Sequence, residues 1–223
     1  MAAFSACTVA AWLDGGTPVT ARLARAGEDR VPGLGVVGVL GHGGGDEGDD
    51  QVAGAVLLSA AARPGADVLA WQTEQLATRL PLPVTLLLRV MRTDVHRLQR
   101  RNLERITASD SAELRLQGQR VNALWTRDFI AHDPVPDLAR ITVPLLAVTG
   151  GADLQVPPGD VDAIGRLVHG PFEGHVLADL SHLFRPDPRS LGPKGYRRAV
   201  RQPMSAHVLD LVGGWVERHW GTG

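Results

Sequence analysis

Two loops that follow predicted strands carry an acid and then an imidazole. In the segment "VTGGADLQVPP", Asp153 comes directly after an apolar run, and in "HVLADLSHLFRPDP", His182 comes a few residues after the next one. A carboxylate that accepts a hydrogen bond from one imidazole nitrogen fixes the ring tautomer and stabilises the imidazolium that forms at the other. The order and placement of these two residues therefore predict an oriented general base.

Four apolar runs are predicted to be the strands that position this pair, and they comprise residues 36–40, 52–60, 141–150 and 172–180. The first three are nearly continuous in apolar residues, which is typical of parallel strands that are covered on both faces. Helices are predicted over 3–13, 19–26 and 159–168. A C-terminal helix carries an apolar stripe made of Val208, Leu211, Val212, Trp215 and Val216. The fold class is therefore α/β.

Residues 62–135 are predicted to form a helical insertion between strands. Apolar residues recur there every three or four positions, and Pro81, Pro83 and Ser109 interrupt the pattern. An insertion after the carboxyl end of a strand can cover the crevice where α/β folds bind ligands. Trp71, Leu87 and Trp125 indicate an apolar lining for that crevice, but they name no substrate.

Composition and charge exclude several classes of protein. A chain of 223 residues with 44% hydrophobic residues and a formal net charge of -1 has no general attraction to nucleic acid or to an anionic membrane. Cys7 is the only cysteine, which excludes an intramolecular disulfide and a zinc site built on thiolates. No stretch reaches the roughly 18 apolar residues of a membrane span. We expect a cytoplasmic protein without a cofactor or metal and without nucleic-acid or membrane partners.

Three segments, "LARITVPLLAVTGGADLQVPPGDVDAI", "HVLADLSHLFR" and "VLDLVGGWVERH", resemble the C-terminal half of the α/β-hydrolase superfamily. The likeness is to its lidded branch of esterases and serine-aminopeptidase-like proteins, and it covers roughly residues 34–220. It implies a three-layer sandwich whose core comprises residues 1–61 and 136–223, with residues 62–135 as the lid. In that family the nucleophile, the acid and the histidine follow in chain order. The resemblance therefore implies that Asp153 is the triad acid and His182 the triad histidine.

The same resemblance places "GHGGG", residues 41–45, at the nucleophile elbow G-x-S-x-G, so that Gly43 occupies the serine position. In the family the elbow opens a helix, but here only "GGDEGDDQ" precedes Val52. A segment so rich in glycine and acids propagates a helix poorly, and it is short for a helix with a return loop. We therefore expect both the serine and most of the helix to be missing. The residues that the resemblance implies to contact substrate are His42, Gly44, Trp71 and Trp125.

The N-terminal part is also short for a complete hydrolase. The family has four strands ahead of the elbow strand, whereas the residues before Val36 have helical patterns. We therefore expect a truncated sheet whose open edge, at residues 36–40, is covered by the N-terminal helices or by another chain, as in a homo-oligomer. A truncated product of a longer gene is a further explanation.

Several other interpretations stay open. Ser59 and Ser181 are alternative hydroxyl nucleophiles, although neither lies in a glycine elbow. "HGGG" also matches the oxyanion motif of hormone-sensitive-lipase-like esterases, but no G-x-S-x-G follows it. "GLGVVG" has the spacing of a dinucleotide fingerprint, yet it precedes a strand instead of following one. His42 and the acidic residues after it have side chains that can bind a metal ion. In flexible acidic loops such side chains are more often simply exposed to solvent.

Taken together, these residues predict a truncated α/β-hydrolase-like protein with a short, mostly parallel sheet and a helical lid. It is related to hydrolases of carboxylic esters or small amides, and little or no activity is expected because Gly43 replaces the serine. A small apolar ester-like or amide-like molecule is the expected ligand. The alternative is a non-enzymatic protein that binds a small ligand or a partner on the same scaffold.

Overall fold

The computed structural model describes residues 36–41, 52–79, 82–83, 86, 90, 94–187 and 201–220. The predicted helices 3–13 and 19–26 lie outside these ranges, as do Cys7, Leu87 and the predicted site residues His42, Gly43 and Gly44. The predictions for these residues stay predictions.

In chain order the described elements are β1 (Val36–Gly41), β2 (Val52–Leu58), α1 (Gly65–Thr78), α2 (Val95–Thr107), β3 (Glu113–Leu116), β4 (Gln119–Asn122), α3 (Ala123–Ala131), α4 (Val135–Leu138), β5 (Leu145–Gly150), α5 (Asp160–Leu167), β6 (Phe172–Leu177) and α6 (Ala206–Trp220). The main sheet has the order β1-β2-β5-β6. Strands β2, β5 and β6 are parallel, and β1 is antiparallel to β2. The predicted α/β class and the short, mostly parallel sheet are confirmed.

The direction of β1 follows from the length of its connection. Gly41, at the end of β1, pairs with Val52, at the start of β2, so only the segment 42–51 joins the two strands. Parallel neighbours need a crossover of a dozen or more residues, whereas antiparallel neighbours accept a short connection. The parallel direction expected of residues 36–40 was therefore wrong. The antiparallel pairing does agree with the expectation that the connecting segment is short for a helix and its return loop.

Two apolar clusters cover the two faces of the sheet, because successive residues of a strand point to opposite faces. On one face the buried residues are Ala55, Leu57, Leu145 and Ala147, packed with Val161 and Ile164 of α5. On the other face they are Val56, Leu58, Leu146 and Val148, packed with Val208 and Trp215 of α6. The predicted stripe of α6 therefore packs on the sheet. None of the described helices is long and apolar enough to cross a bilayer.

The segment between β2 and β5 is less helical than predicted. Residues 113–122 form the hairpin of β3 and β4, so the helical prediction there was wrong. Gln117 and Gly118 have φ values of 47° and 79°, as the two central residues of a type I′ turn require. Leu114 and Leu116 pack against Ile106 from one face of β3. Three apolar residues in a segment of this length are compatible with both the helical and the strand period, and the turn at Gln117 and Gly118 favours the hairpin.

A buried carboxylate joins the loop after β2 to helix α5. Asp160 is 1% exposed and accepts hydrogen bonds from the Ala62 N–H at 3.0 Å and from Arg63 Nε at 2.9 Å. The carboxylate lies in the first turn of α5, where the helix dipole favours a negative charge. The backbone that follows the carboxyl end of β2 is thereby attached to α5.

A second charged cluster joins β6 to α6. Arg218 Nη2 lies 3.0 and 2.9 Å from the two carboxylate oxygens of Glu173, and His175 Nε2 lies 2.8 Å from one of them. The hydrogen bond with His175 is the largest cause that holds the pKa of Glu173 below its ordinary value. Desolvation of the carboxylate opposes this shift, and Arg218 adds to it.

We expect Glu173→Gln to change stability in a pH-dependent way. Because the pKa of Glu173 is lowered in the folded chain, its ionised form stabilises the fold above the ordinary glutamate pKa, and this stabilisation is lost as the pH falls through the lowered value. The free energy of unfolding should drop by less than about 1 kcal/mol at about pH 7, since both side chains are partly exposed, and the difference should vanish in acid. Urea denaturation at about pH 7 and about pH 3 measures both values.

The exposed Glu217, on the same helix as Arg218, offers a matched control in Glu217→Gln. A loss of stability in Glu173→Gln that is equal at both pH values would contradict the contribution of the ionised carboxylate.

Candidate active site

Asp153 and His182 form a hydrogen-bonded pair beyond the carboxyl ends of β5 and β6. His182 Nδ1 lies 2.9 Å from Asp153 Oδ2, and the two side chains are 26% and 0% exposed respectively. Parallel neighbouring strands end at the same edge of a sheet, so the loops that follow them meet there. The structure thus brings together the two residues that were predicted to be the triad acid and histidine, here called the acid–imidazole pair.

Main-chain N–H groups hold the carboxylate of Asp153 in place. Its Oδ1 accepts hydrogen bonds from the N–H groups of Gln155 at 2.7 Å and Val156 at 3.1 Å, while Oδ2 contacts the imidazole. Both oxygens of this buried group therefore have partners, as burial of a charge requires. A carboxylate held in this way can orient the ring through Nδ1 and leave Nε2 to exchange a proton with a ligand.

Two glycines at the end of β5 allow the two loops to approach each other. A Cβ atom at Gly150 would overlap the carbonyl oxygen of Leu180, and one at Gly151 would lie 2.6 Å from the carbonyl oxygen of Ala178. Side chains at these positions would therefore push apart the loops that carry the acid–imidazole pair. The sequence prediction missed this role, although a glycine in a strand pattern does signal close backbone approach.

The loop that carries His182 is closed by its own hydrogen bonds. The N–H and the hydroxyl of Ser181 both donate to the carbonyl oxygen of Arg185, at 3.0 and 3.1 Å. Phe184 is 3% exposed, has a φ of 53°, and packs in the cluster between the sheet and α6. Ser181 was an alternative nucleophile in the sequence analysis. Its hydroxyl instead donates a hydrogen bond to the backbone of the loop.

Ser59 lies at the carboxyl end of β2, next to the acid–imidazole pair. Its N–H donates to the carbonyl oxygen of Val148 on β5 at 2.8 Å. Its hydroxyl donates to the carbonyl oxygen of His182 at 3.3 Å. The side chain is buried, and the backbone has a φ of 50°, in the left-handed region. The three parallel strands therefore each contribute one polar residue to the same edge of the sheet.

Strand β1, which precedes the predicted elbow position, ends at the other edge of the sheet. Gly41 pairs with Val52, the first residue of β2, whereas Ser59 follows the last. The seven residues of β2 separate these two edges by roughly 20 Å, at about 3.3 Å per residue. Gly43, the predicted serine position, lies outside the described residues, but the strand before it runs away from the acid–imidazole pair.

The two tryptophans that were predicted to contact substrate lie on different helices. Trp71 is partly buried on α1, and Trp125, on α3, is 49% exposed. The ring of Trp125 stacks on Phe129, of the same helix, with centroids 5.1 Å apart. The described polar and ring contacts join neither tryptophan to the acid–imidazole pair. Within the part of the chain that the structure describes, no group of three or more His, Cys, Asp or Glu side chains could hold a metal ion.

We expect Gly150→Ala to destabilise the protein and to loosen the acid–imidazole pair. The added methyl group must displace the backbone at Leu180, which should lower the free energy of unfolding by about 1–3 kcal/mol. Urea denaturation measures the loss of stability, and faster modification of His182 by diethyl pyrocarbonate would report the loosened pair.

Gly214→Ala in α6 is the control, and it is expected to change the free energy of unfolding in the opposite direction. The nearest atom to a Cβ at Gly214 is Arg218 Nη1 at 3.7 Å, an ordinary contact, so this substitution should stabilise the helix by about 0.5–1 kcal/mol. Equal effects of the two substitutions would contradict the steric role of Gly150.

Comparisons with known proteins do not identify a family for this chain. A scan of the chain against models of protein families finds no match, and a search among curated proteins finds none either. Asp153, His182 and Ser59, at the carboxyl ends of three parallel strands, are therefore the residues from which a function is proposed.

Proposed function

We propose that this chain is a hydrolase-derived α/β protein that keeps an oriented acid–imidazole pair and has lost the serine nucleophile. It is related to hydrolases of carboxylic esters or small amides, and it has little or no hydrolytic activity. The proposal is carried by the 2.9 Å contact between the fully buried Asp153 carboxylate and the partly exposed His182 ring. A buried acid that orients an imidazole base is an arrangement that many acyl-transfer enzymes use.

The pair can supply only part of that chemistry. With Nδ1 held by Asp153, Nε2 of His182 can take a proton from an attacking group and return it to the leaving group. Hydrolysis also needs a nucleophile and N–H donors for the oxyanion of the tetrahedral intermediate, and such donors usually supply the largest share of the rate. The hydrolase resemblance assigns these parts to the elbow at residues 41–45 and to the helix behind it.

Two independent features argue against a working elbow. Gly43 has no hydroxyl, and the described end of β1, at Gly41, lies at the edge of the sheet opposite to the acid–imidazole pair. Restoring a hydroxyl at position 43 would therefore not be expected to restore catalysis.

Exposed apolar side chains in the lid segment favour a second candidate function. Leu82, Leu86 and Val90 follow one another at four-residue spacing and are 85%, 63% and 74% exposed. Residues at this spacing share one face of a helix, and an exposed apolar face is typical of binding surfaces. A non-enzymatic role in binding a small apolar ligand or a partner, including a second copy of the chain, is therefore the alternative.

Hydrolysis of p-nitrophenyl acetate and p-nitrophenyl butyrate tests the proposal. We expect the unchanged protein, His182→Ala and Gly43→Ser to turn over both esters at the same background rate. Turnover by the unchanged protein that disappears in His182→Ala would show that the chain is an active hydrolase. Activity in Gly43→Ser that depends on His182 would show that the elbow reaches the pair, against the direction of β1.

A further inference from the structure

We propose that Ser59 is a positioning residue for His182. Its hydroxyl holds the His182 main chain at the end of the sheet, so that the imidazole stays on the Asp153 carboxylate. This inference rests on the proposed role of the acid–imidazole pair. It assigns a role to Ser59, the third polar residue at the same strand ends.

The first observation is the link that Ser59 makes across the sheet. Its N–H donates to Val148 of β5 at 2.8 Å, and its hydroxyl donates to the carbonyl oxygen of His182, in the loop after β6, at 3.3 Å. One residue therefore ties the ends of all three parallel strands. The hydroxyl reaches across the end of β5, where Gly150 and Gly151 carry no side chains.

The second observation is the backbone conformation of Ser59. Its φ of 50° lies in the left-handed region, where glycine is favoured and other residues are strained. The described non-glycine residues with positive φ are Ser59, Gln117 and Phe184. Gln117 belongs to the hairpin turn, Phe184 belongs to the loop that carries His182, and Ser59 donates a hydrogen bond to that loop. Since glycine would fit position 59 without strain, what serine adds there is its side chain, and the described hydrogen bond of that side chain is to His182.

The contacts favour a positioning role over a nucleophilic one. The Ser59 hydroxyl proton is donated to a main-chain carbonyl, whereas a serine nucleophile gives its proton to the imidazole. The residue is also 4% exposed, while a nucleophile must meet its substrate. Ser59, Asp153 and His182 do have the chain order nucleophile, acid, histidine, so the experiment must separate the two roles.

The exchange of the His182 Nδ1 proton with water tests the proposal directly. In the full chain this proton gives a downfield NMR signal while it is held between the ring and the carboxylate, and its exchange rate reports how often the pair opens. Ser59→Ala and Ser59→Gly should both increase the exchange rate of this proton several-fold. An increase large enough to broaden the signal beyond detection would have the same meaning. Ser59→Gly relieves the strained φ and should lose less stability than Ser59→Ala. If urea denaturation shows that the two variants differ in stability while both exchange faster, the faster exchange comes from the lost hydroxyl and not from general destabilisation.

Ser181→Ala is the matched control. Ser181 is as buried as Ser59, precedes His182, and donates its hydroxyl to a main-chain carbonyl, but that carbonyl belongs to Arg185. The control should leave the exchange rate unchanged, because the Ser181 N–H still donates to the Arg185 carbonyl oxygen and keeps the loop closed. If the Ser59 variants keep the exchange rate of the unchanged protein, or if Ser181→Ala raises it equally, the positioning role of Ser59 is overturned and the pair itself stands. Absence of the signal in the unchanged protein would overturn the pair and the proposed function as well.

Labelling with diisopropyl fluorophosphate separates positioning from nucleophilic attack. The Ser59 oxygen would displace fluoride at phosphorus, lose its proton to His182, and gain a diisopropyl phosphoryl group that mass spectrometry detects. We expect no such adduct on Ser59. An adduct that forms on Ser59 and is lost in His182→Ala would overturn the positioning role and make Ser59 the nucleophile.

Discussion

The hydrogen bond between His182 and the buried carboxylate of Asp153 is the interaction on which the candidate site depends. A carboxylate with no exposed surface cannot be solvated by water, so its charge must be balanced by partners within the protein. Two main-chain N–H groups and one imidazole form hydrogen bonds with this carboxylate. Of these partners, the imidazole has a second nitrogen that a ligand could contact. The requirement that stabilises the buried acid is thus the same requirement that orients the base.

Strand direction decides which residues can join this pair. Three parallel strands end at one edge of the sheet, and each supplies one of Ser59, Asp153 and His182. The first strand is antiparallel because its connection is short, so its glycine-rich continuation begins at the opposite edge. The short connection between β1 and β2, and not only the glycine at position 43, therefore separates the acid–imidazole pair from the position that the hydrolase resemblance assigns to the nucleophile.

Much of this arrangement could be predicted from local sequence patterns, whereas some of it could not. The buried strands, helices α5 and α6, and the meeting of Asp153 with His182 were predictable, because apolar runs and polar strand ends are short-range signals. The hairpin at 113–122 was missed because its three apolar positions, Leu114, Leu116 and Val121, are too few to separate the helical period from the strand period. The role of Ser59 depends on a left-handed φ and on a contact between residues 123 positions apart, and neither leaves a pattern in the chain.

The tautomer of His182, measured by ¹⁵N NMR of the imidazole nitrogens, tests the central claim most directly. If the Asp153 carboxylate orients the ring, neutral His182 carries its proton on Nδ1 in the unchanged protein, and Asp153→Asn shifts the population toward the Nε2 tautomer. A ring protonated mainly on Nε2 in the unchanged protein, or a tautomer that does not respond to Asp153→Asn, would contradict the account.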